Sequence, residues 1–358
     1  MKKLSIIVPM YKAKSYIKGC VSSLLNQNLD NYEIILVDDF SEDGTYEYAK
    51  ELFKDNNKIR IDKINSCDGP GPTRNKGIDI AEGEYITFCD IDDYLIPNTL
   101  GEVYKTAKEN NLDLFWTVGT KMLITRETKE NFDLYDKNLF LDLNPFKNHE
   151  DYRNEPDDIK IRLDKYMNRE YAFSIWGKIY NKKMLDENNI RFCENMMGED
   201  QVFLIESLMH AKKFASKLIY LNGYRVGNTS LSRTDDKLHL FIRSLECIIG
   251  TTNYLERRID SSNVFKDIPE YKDKLISFHR YSTEYFYTLP LYKEIGSDII
   301  KTSDEVDVVF KKYYGEKALE EKERLFLSYD NSKDNGKPFY NEMTYEKLSK
   351  LLKNNINK

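Results

Sequence analysis

Over its first 118 residues the chain alternates short apolar, β-branched runs with amphipathic stretches, and this alternation restricts the fold more than any other feature. Residues 4–9 form an apolar run that predicts a buried strand. Ile17, Cys20, Val21, Leu24 and Leu25 follow at helical spacing. A second strand is expected over 33–37, and Thr45, Tyr48, Ala49, Leu52 and Phe53 mark a second helix. Residues 58–64 read as a third strand, 75–81 as a short helix and 85–89 as a fourth strand. Pro97 suits a helix start, and Leu100, Val103, Tyr104 and Ala107 carry that helix towards a fifth strand over 112–118. Strand–helix–strand at this spacing needs crossover connections. The fold class is therefore α/β, with a mostly parallel central sheet flanked by helices. Such sheets bind ligands at the carboxyl ends of their strands.

Beyond residue 118 the pattern loosens. A strand is expected over 121–125, a charged segment over 148–169, a compact apolar run over 174–180 and a helix over 197–209. From 236 onward strands disappear. Leu238, Phe241, Leu245, Ile248 and Ile249 open a long helix, and 271–287 and 304–324 also read as helical. The organisation expected is 1–118, 119–235 and a C-terminal helical region 236–358, with a boundary near 233–236.

Composition excludes several classes. Lys plus Arg is 54 against 60 Asp plus Glu, a net charge of −6, which argues against nucleic acid as a partner. No stretch approaches the roughly 18 to 20 apolar residues of a transmembrane helix. The N-terminal apolar run contains Pro9 and meets Lys12, so it reads as a strand and not a signal peptide. Five scattered cysteines form no CxxC pair, and four distant histidines show no metal-ligand spacing, which points to a reducing, cytoplasmic setting. Basic residues Lys347 and Lys350 beside Leu351 and Leu352 fit either an amphipathic helix on the core or peripheral contact with the inner face of a membrane. The C-terminal helices are also candidates for a homodimer contact.

Chemistry concentrates after the strands. The second strand ends in Asp38-Asp39, a pair that serves either a ligand site or a turn before the next helix, with Ser41 or Asp43 as its N-cap. The fourth ends in Asp90-Ile91-Asp92-Asp93, where three carboxylates within four residues suit a hard divalent cation, or else a turn before the Pro97 helix. Between them, residues 68–77 read as a tight loop entering a helix, and Arg74 with backbone N–H groups would suit a diphosphate. This loop lacks the P-loop spacing, and no GxGxxG follows the first strand. Parallel strands bring two acidic sites and one basic site to one edge. A nucleotide diphosphate with its metal fits that edge.

Four ordered motifs then carry a resemblance: Ser5-Ile6-Ile7-Val8-Pro9-Met10-Tyr11, Val37-Asp38-Asp39-Phe40-Ser41-Glu42-Asp43-Gly44-Thr45, Arg74-Asn75-Lys76-Gly77 and Asp90-Ile91-Asp92-Asp93. Together they resemble glycosyltransferase family 2, inverting nucleotide-sugar-dependent enzymes of the GT-A fold. The resemblance is strong to about residue 118, recurs in patches to about 235 and is absent after that. It implies that 1–118 and 119–235 are the nucleotide-sugar and acceptor halves of one GT-A domain. Pro9 and Tyr11 would border the base, Asp39 would hydrogen-bond it, and Arg74 would sit near the diphosphate. Asp90-x-Asp92 matches the DxD motif, with Asp90 near the ribose and Asp92, with Asp90, on Mn2+ or Mg2+. Phe40 stands where the family usually has glycine, and Thr73 where it usually has alanine.

The second half adds Gly198-Glu199-Asp200-Gln201-Val202-Phe203, similar to the family's acidic motif, in which Asp200, with Glu199 beside it, is the catalytic base. Without the resemblance these residues read as an acidic helix start. Trp176 and Lys178 in Ser174-Ile175-Trp176-Gly177-Lys178-Ile179-Tyr180 resemble the acceptor-side segment, and Trp176 serves a sugar face or a core equally well. Arg225, Ser230 and Arg233 match a stretch that closes over the diphosphate, and the arginines fit a surface role equally. The implied function is transfer of a UDP-hexose or UDP-N-acetylhexosamine sugar to a glycan or lipid-linked saccharide in bacterial cell-surface polysaccharide synthesis. Two alternatives are a haloacid-dehalogenase-like phosphatase using Asp90-Ile91-Asp92, and a non-catalytic nucleotide-sugar-binding scaffold.

Overall fold

The computed structural model describes residues 2–123, 140–143, 152–194, 198–225 and 236–332. They fall into two compact units, one within Met1–Asn228 and one within Thr229–Thr344. Ser230, Arg233, Lys347, Lys350, Leu351 and Leu352 lie outside the described residues.

The first unit is built on one mixed sheet. Its strands are β1 (Lys2–Met10), β2 (Tyr32–Asp38), β3 (Ile59–Lys63), β4 (Gly83–Phe88), β5 (Tyr94–Leu95), β6 (Leu114–Leu123), β7 (Phe140–Leu143), β8 (Tyr152–Asn154), β9 (Lys178–Asn181) and β10 (Phe214–Arg225). The order is β3-β2-β1-β4-β9-β6-β10-β5, with β7 on β6 and β8 on β10. β3, β2, β1 and β4 are parallel, and so are β6 and β10. β9 runs antiparallel between β4 and β6. The apolar run expected over 174–180 thus supplies a strand that enters the sheet from far along the chain. The two strands expected over 112–118 and 121–125 are one, β6, because after two register shifts on β10 the pairing resumes with Thr120 to Leu123 beside Asn222 to Arg225.

β1 and β2 are buried almost end to end, as strands covered on both faces must be. Leu4, Ile6 and Val8 pack with Ile17, Val21 and Leu24 of the helix Lys14–Leu25 and with Leu100 and Val103 of the helix Leu100–Glu109. Each such side chain contributes about 1.5–3 kcal/mol by leaving water. Ile7 faces the opposite layer. There the helix Pro70–Ile80 lies so close that a Cβ on Gly77 would stand 2.4 Å from Ile7 Cγ2. Glu33, buried in β2, is satisfied by Ser5 Oγ at 2.6 Å, Lys2 Nζ at 3.0 Å and the Glu82 amide at 2.7 Å.

Pro70–Ile80 is helical five residues earlier than the spacing of 75–81 predicts. Its Gly-Pro-Gly-Pro start has loop propensity, but a proline at the first helical position gives up no hydrogen bond. Arg74 therefore stands on a helix and not in a loop.

The second unit is helical: Lys237–Asp260, Pro269–Thr283, Leu289–Ile295, Ser297–Lys301, Asp304–Tyr314 and Ala318–Asn331 surround Phe241, Leu245, Tyr292, Phe310 and Phe326. The helix expected over 271–287 ends at Thr283 and passes through a π turn at Glu284–Thr288, where Pro290 removes a backbone donor. The one expected over 304–324 breaks at Gly315, whose φ is +56°. Among the described residues no helix is long and apolar enough to cross a membrane.

Candidate active site

The carboxyl ends of β1, β2 and β4 supply the first groups, as the parallel topology requires. Pro9 is buried in β1 opposite Val37. Its missing N–H costs no ladder bond with β4, because that pairing stops at Ile7 and Phe88. Tyr11 follows, half-buried, with the Lys12 ammonium 5.1 Å from its ring centre.

The acidic pair after β2 divides its work. Asp38 Oδ2 accepts from the Ser41 amide at 2.8 Å, which closes the turn. Asp43 Oδ1 accepts from the amide and hydroxyl of Thr45, at 3.0 and 2.6 Å, and so fixes the next helix start. Asp39, 5% exposed, accepts from the Asp68 amide at 3.1 Å and from the Gly69 amide at 3.1–3.3 Å. Burial pushes its carboxyl upward, and these amides oppose the shift. Asp39 thereby clasps the start of the Arg74 helix to the end of β2. Thr73 is fully buried and donates to the Gly69 carbonyl at 2.8 Å, a bond that an alanine there could not make.

Phe40 has φ +52° and is 46% exposed. A bulky side chain in left-handed backbone costs roughly 1–2 kcal/mol. Phe40→Gly is therefore expected to raise unfolding stability by about 1 kcal/mol, read as a higher urea midpoint of the first unit. A lower midpoint would show that the ring contributes more packing than its exposure implies.

Arg74 is the hub. It is 4% exposed; its Nη2 donates to Asp90 Oδ1 at 2.9 Å, and its Nη1 reaches Glu199 Oε1 at 3.3 Å and Asp200 Oδ1 at 3.2 Å. The guanidinium also lies 5.3 Å from the Phe192 ring centre. Three carboxylates hold it as a cation more firmly than usual, overcoming its burial. The side chains of Asp90 and Asp200 keep 33% and 34% of their surface open, whereas Glu199 is nearly enclosed. Burial pushes both Glu199 and Asp200 upward; for Glu199 the adjacent Asp200 charge adds to this, and for Asp200 the charge of Asp90 does.

This meeting depends on a clasp between distant segments. Asn75 donates from Nδ2 to the Phe192 carbonyl and accepts at Oδ1 from the Phe192 amide, both at 2.8 Å. A Cβ on Gly71 would stand 2.6 Å from the Cys193 carbonyl, so only glycine permits the approach. Phe192 and Phe203 stack at 4.1 Å beneath, with Phe88 edge-on to both. The helix Glu199–His210 follows and delivers Glu199 and Asp200 to Arg74. Sequence reasoning assigned no role to Gly71, Asn75 or Phe192. Gly71 and Asn75 flank Arg74, and their pairing with residues far along the chain gave no local signal.

After β4, Asp92 is pushed up to about 6 by burial and by the neighbouring Asp90 charge. Asp93 is buried and accepts from the Arg225 amide at 2.9 Å, while Arg225 Nε donates to the Asp92 carbonyl at 2.9 Å. Arg225, 7% exposed at the end of β10, thus joins the same acidic turn. Two like-charged oxygen donors in a confined turn suit a hard cation. Among the described residues no group of three or more His, Cys, Asp or Glu forms a metal-holding cluster, so the remaining positions would fall to substrate oxygens and water.

Trp176, just before β9, is half-buried and lies nearly parallel to the partly exposed Tyr224 ring of β10, at 6.1 Å and 19°. Lys178 is fully buried in β9, and its Nζ donates to the carbonyls of Ala172, at 3.0 Å, and Ser174.

Known proteins resemble this chain in sequence and in fold. The family model described as Glycosyl transferase family 2 matches residues 5–173. Poly(ribitol-phosphate) beta-glucosyltransferase of Bacillus spizizenii is 31% identical over 231 residues, which are 61% of this chain and 31% of that one. The chain thus spans about a third of that relative's length. Glycosyltransferase GlyG of Streptococcus pneumoniae is 26% identical over 286 residues, covering 74% of this chain and 87% of that one. The crystal structure of S. aureus TarS 1-349 in complex with UDP-GlcNAc superposes with a TM-score of 0.60 at 19% identity, covering 87% of this chain and 81% of that one, a likeness of fold. Residues 5–173 of the chain thus match glycosyl transferase family 2.

Proposed function

We propose that the chain transfers a sugar from a UDP-hexose or UDP-N-acetylhexosamine to an acceptor hydroxyl, with inversion, in the assembly of a bacterial surface polysaccharide. One observation carries this reading: a single buried guanidinium joins Asp90, at the end of β4, to Asp200, at the head of a helix more than a hundred residues later. The group suited to the donor and the group suited to the acceptor are thereby held a side chain apart. Asp39 and Tyr11 receive the base; both Asp39 oxygens accept from the 68–69 turn yet retain lone-pair capacity for a base N–H. Asp92, with Asp90, would hold Mn2+ or Mg2+, which when bound offsets the charge growing on the leaving diphosphate.

Asp200 takes the acceptor proton on Oδ2, the oxygen that Arg74 leaves unbonded. The acceptor oxygen then forms a bond to the anomeric carbon from the face opposite the nucleotide. The bond to the diphosphate breaks, and its electron pair leaves with the diphosphate. An α-linked donor gives a β-linked product. The beta-transferase name of the Bacillus spizizenii relative supports that outcome, and its poly(ribitol-phosphate) substrate supports a cell-envelope glycan as acceptor. Trp176 and Tyr224 lie on the acceptor side in this reading, whereas Lys178, fully buried with its Nζ bonded to the Ala172 and Ser174 carbonyls, does not reach an acceptor.

The test is UDP release from a panel of UDP-sugars with manganese or magnesium and without either. The expected result is metal-dependent release from a preferred donor. Phosphate release from an aryl phosphate, or UDP binding with no turnover of any donor, would contradict it.

A further inference from the structure

The turn after β4 carries Asp90, Asp92 and Asp93, and like charges so close push a turn apart unless something ties it. Its first half is tied from nearby. The Asp93 amide donates to the Asp90 carbonyl at 2.9 Å, and the thiols of Cys89 and Cys20 donate to the same oxygen at 3.5 and 3.8 Å. Its second half is tied by a residue more than a hundred positions away. The Arg225 amide donates to Asp93 Oδ1 and Arg225 Nε to the Asp92 carbonyl, each at 2.9 Å. One residue thus grips two consecutive members of the turn.

Arg225 is itself held. Its guanidinium carbon lies 4.9 Å from the Tyr94 ring centre and 5.4 Å from that of Tyr16, on the helix Lys14–Leu25. Gly223, two residues before it, pairs with Tyr94 between β10 and β5. Arg225 is only 7% exposed, a costly place for a charge if a strand end were all that was needed. Its Nε bond goes to the main chain of Asp92 and leaves the side chain out. Among the described residues the Asp92 carboxylate enters no ion pair, so its backbone is tied while its oxygens stay available.

We propose that Arg225 is a positioning residue for the cation site: two hydrogen bonds, braced by the rings of Tyr16 and Tyr94, fix the Asp92–Asp93 backbone so that the Asp92 carboxylate meets the ion in a set direction. This rests on the reading of Asp92, with Asp90, as the holder of Mn2+ or Mg2+. A positive charge beside a cation is unfavourable in itself, so the contribution of Arg225 is geometry and not charge. Lysine keeps the charge but has no Nε–H on a rigid plane to reach the carbonyl.

The test is manganese binding to the full chain in the presence of UDP, followed by electron paramagnetic resonance, with UDP affinity in EDTA measured alongside. Arg225→Lys is expected to weaken manganese binding by about 10- to 100-fold, as loss of an outer partner of a metal ligand does, and to alter the spectrum of the bound ion. UDP affinity in EDTA should match the parent. Tyr16→Leu removes one half-exposed ring and leaves both hydrogen bonds, so its loss should be at most about fivefold. Unchanged manganese affinity in Arg225→Lys would overturn the inference. So would a loss in Tyr16→Leu as large as in Arg225→Lys, which would mean general loosening of the turn. Arg225→Gln weakening UDP as much in EDTA as with manganese would also overturn it, placing Arg225 on the diphosphate. A parent that binds UDP but no manganese would overturn the cation reading itself, whatever the variants do.

Discussion

Asp200→Asn is expected to lower sugar transfer by about 10²- to 10⁴-fold, the contribution of a positioned general base, with UDP affinity retained. The substitution preserves size and the acceptor oxygen facing Arg74 Nη1, so the hub keeps its shape. It also removes a carboxylate whose ionisation burial and Asp90 disfavour in the folded state, so the variant should melt no lower than its parent at neutral pH. The parent's turnover needs ionised Asp200. Because burial and Asp90 push this group up, activity should fall on acidification well above the ordinary carboxylate range. Asp200→Asn should lack that limb in its residual rate. Turnover and melting curves of the pair check both statements, and near-normal turnover in the variant would remove Asp200 from the chemistry.

Arg74→Met is expected to be the most destabilising single change in the site. It leaves Asp90, Glu199 and Asp200 crowded without their shared cation, and breaking a buried pair typically costs about 3–5 kcal/mol. The loss should depend on pH in a definite direction. Burial already raises the proton affinities of Glu199 and Asp200 in the folded state, and without the opposing arginine they rise further above their unfolded values. Folded protein then binds more protons than unfolded, so the variant gains stability as pH falls and loses it as pH rises through the raised range. Thermal unfolding of parent and variant at mildly acidic and alkaline pH should show the deficit shrinking on the acid side. A deficit equal at both would place the role of Arg74 in packing over Phe192 and not in charge.

The parts of this arrangement that could be read from the sequence are those with local cause. β1, β2 and β4 announce themselves by apolar runs and β3 by alternation, and Asp39, Asp90 and Asp92 stand at or just after strand ends where a carboxylate has little structural motive. Arg74 was legible as a functional residue, but its partners were not: Glu199 and Asp200 lie 125 and 126 residues away. The four-residue β9 was hidden because its place between β4 and β6 depends on pairing, which leaves no local period. The Gly-Pro-Gly-Pro start of the Arg74 helix misled for the opposite reason: its local propensity is for a loop, and the clasps of Asp39, Asn75 and Thr73 override it. Lys178 reads as a polar residue able to reach an acceptor, and only the closed sheet reveals it as interior.

The most direct measurement is a crystal structure with UDP and manganese bound. The account predicts the base against Asp39 and Tyr11, the ion on Asp92 and the diphosphate facing the Asp200 carboxylate across one cleft. Nucleotide bound elsewhere, or Asp39, Asp92 and Asp200 opening onto separate surfaces, would contradict it.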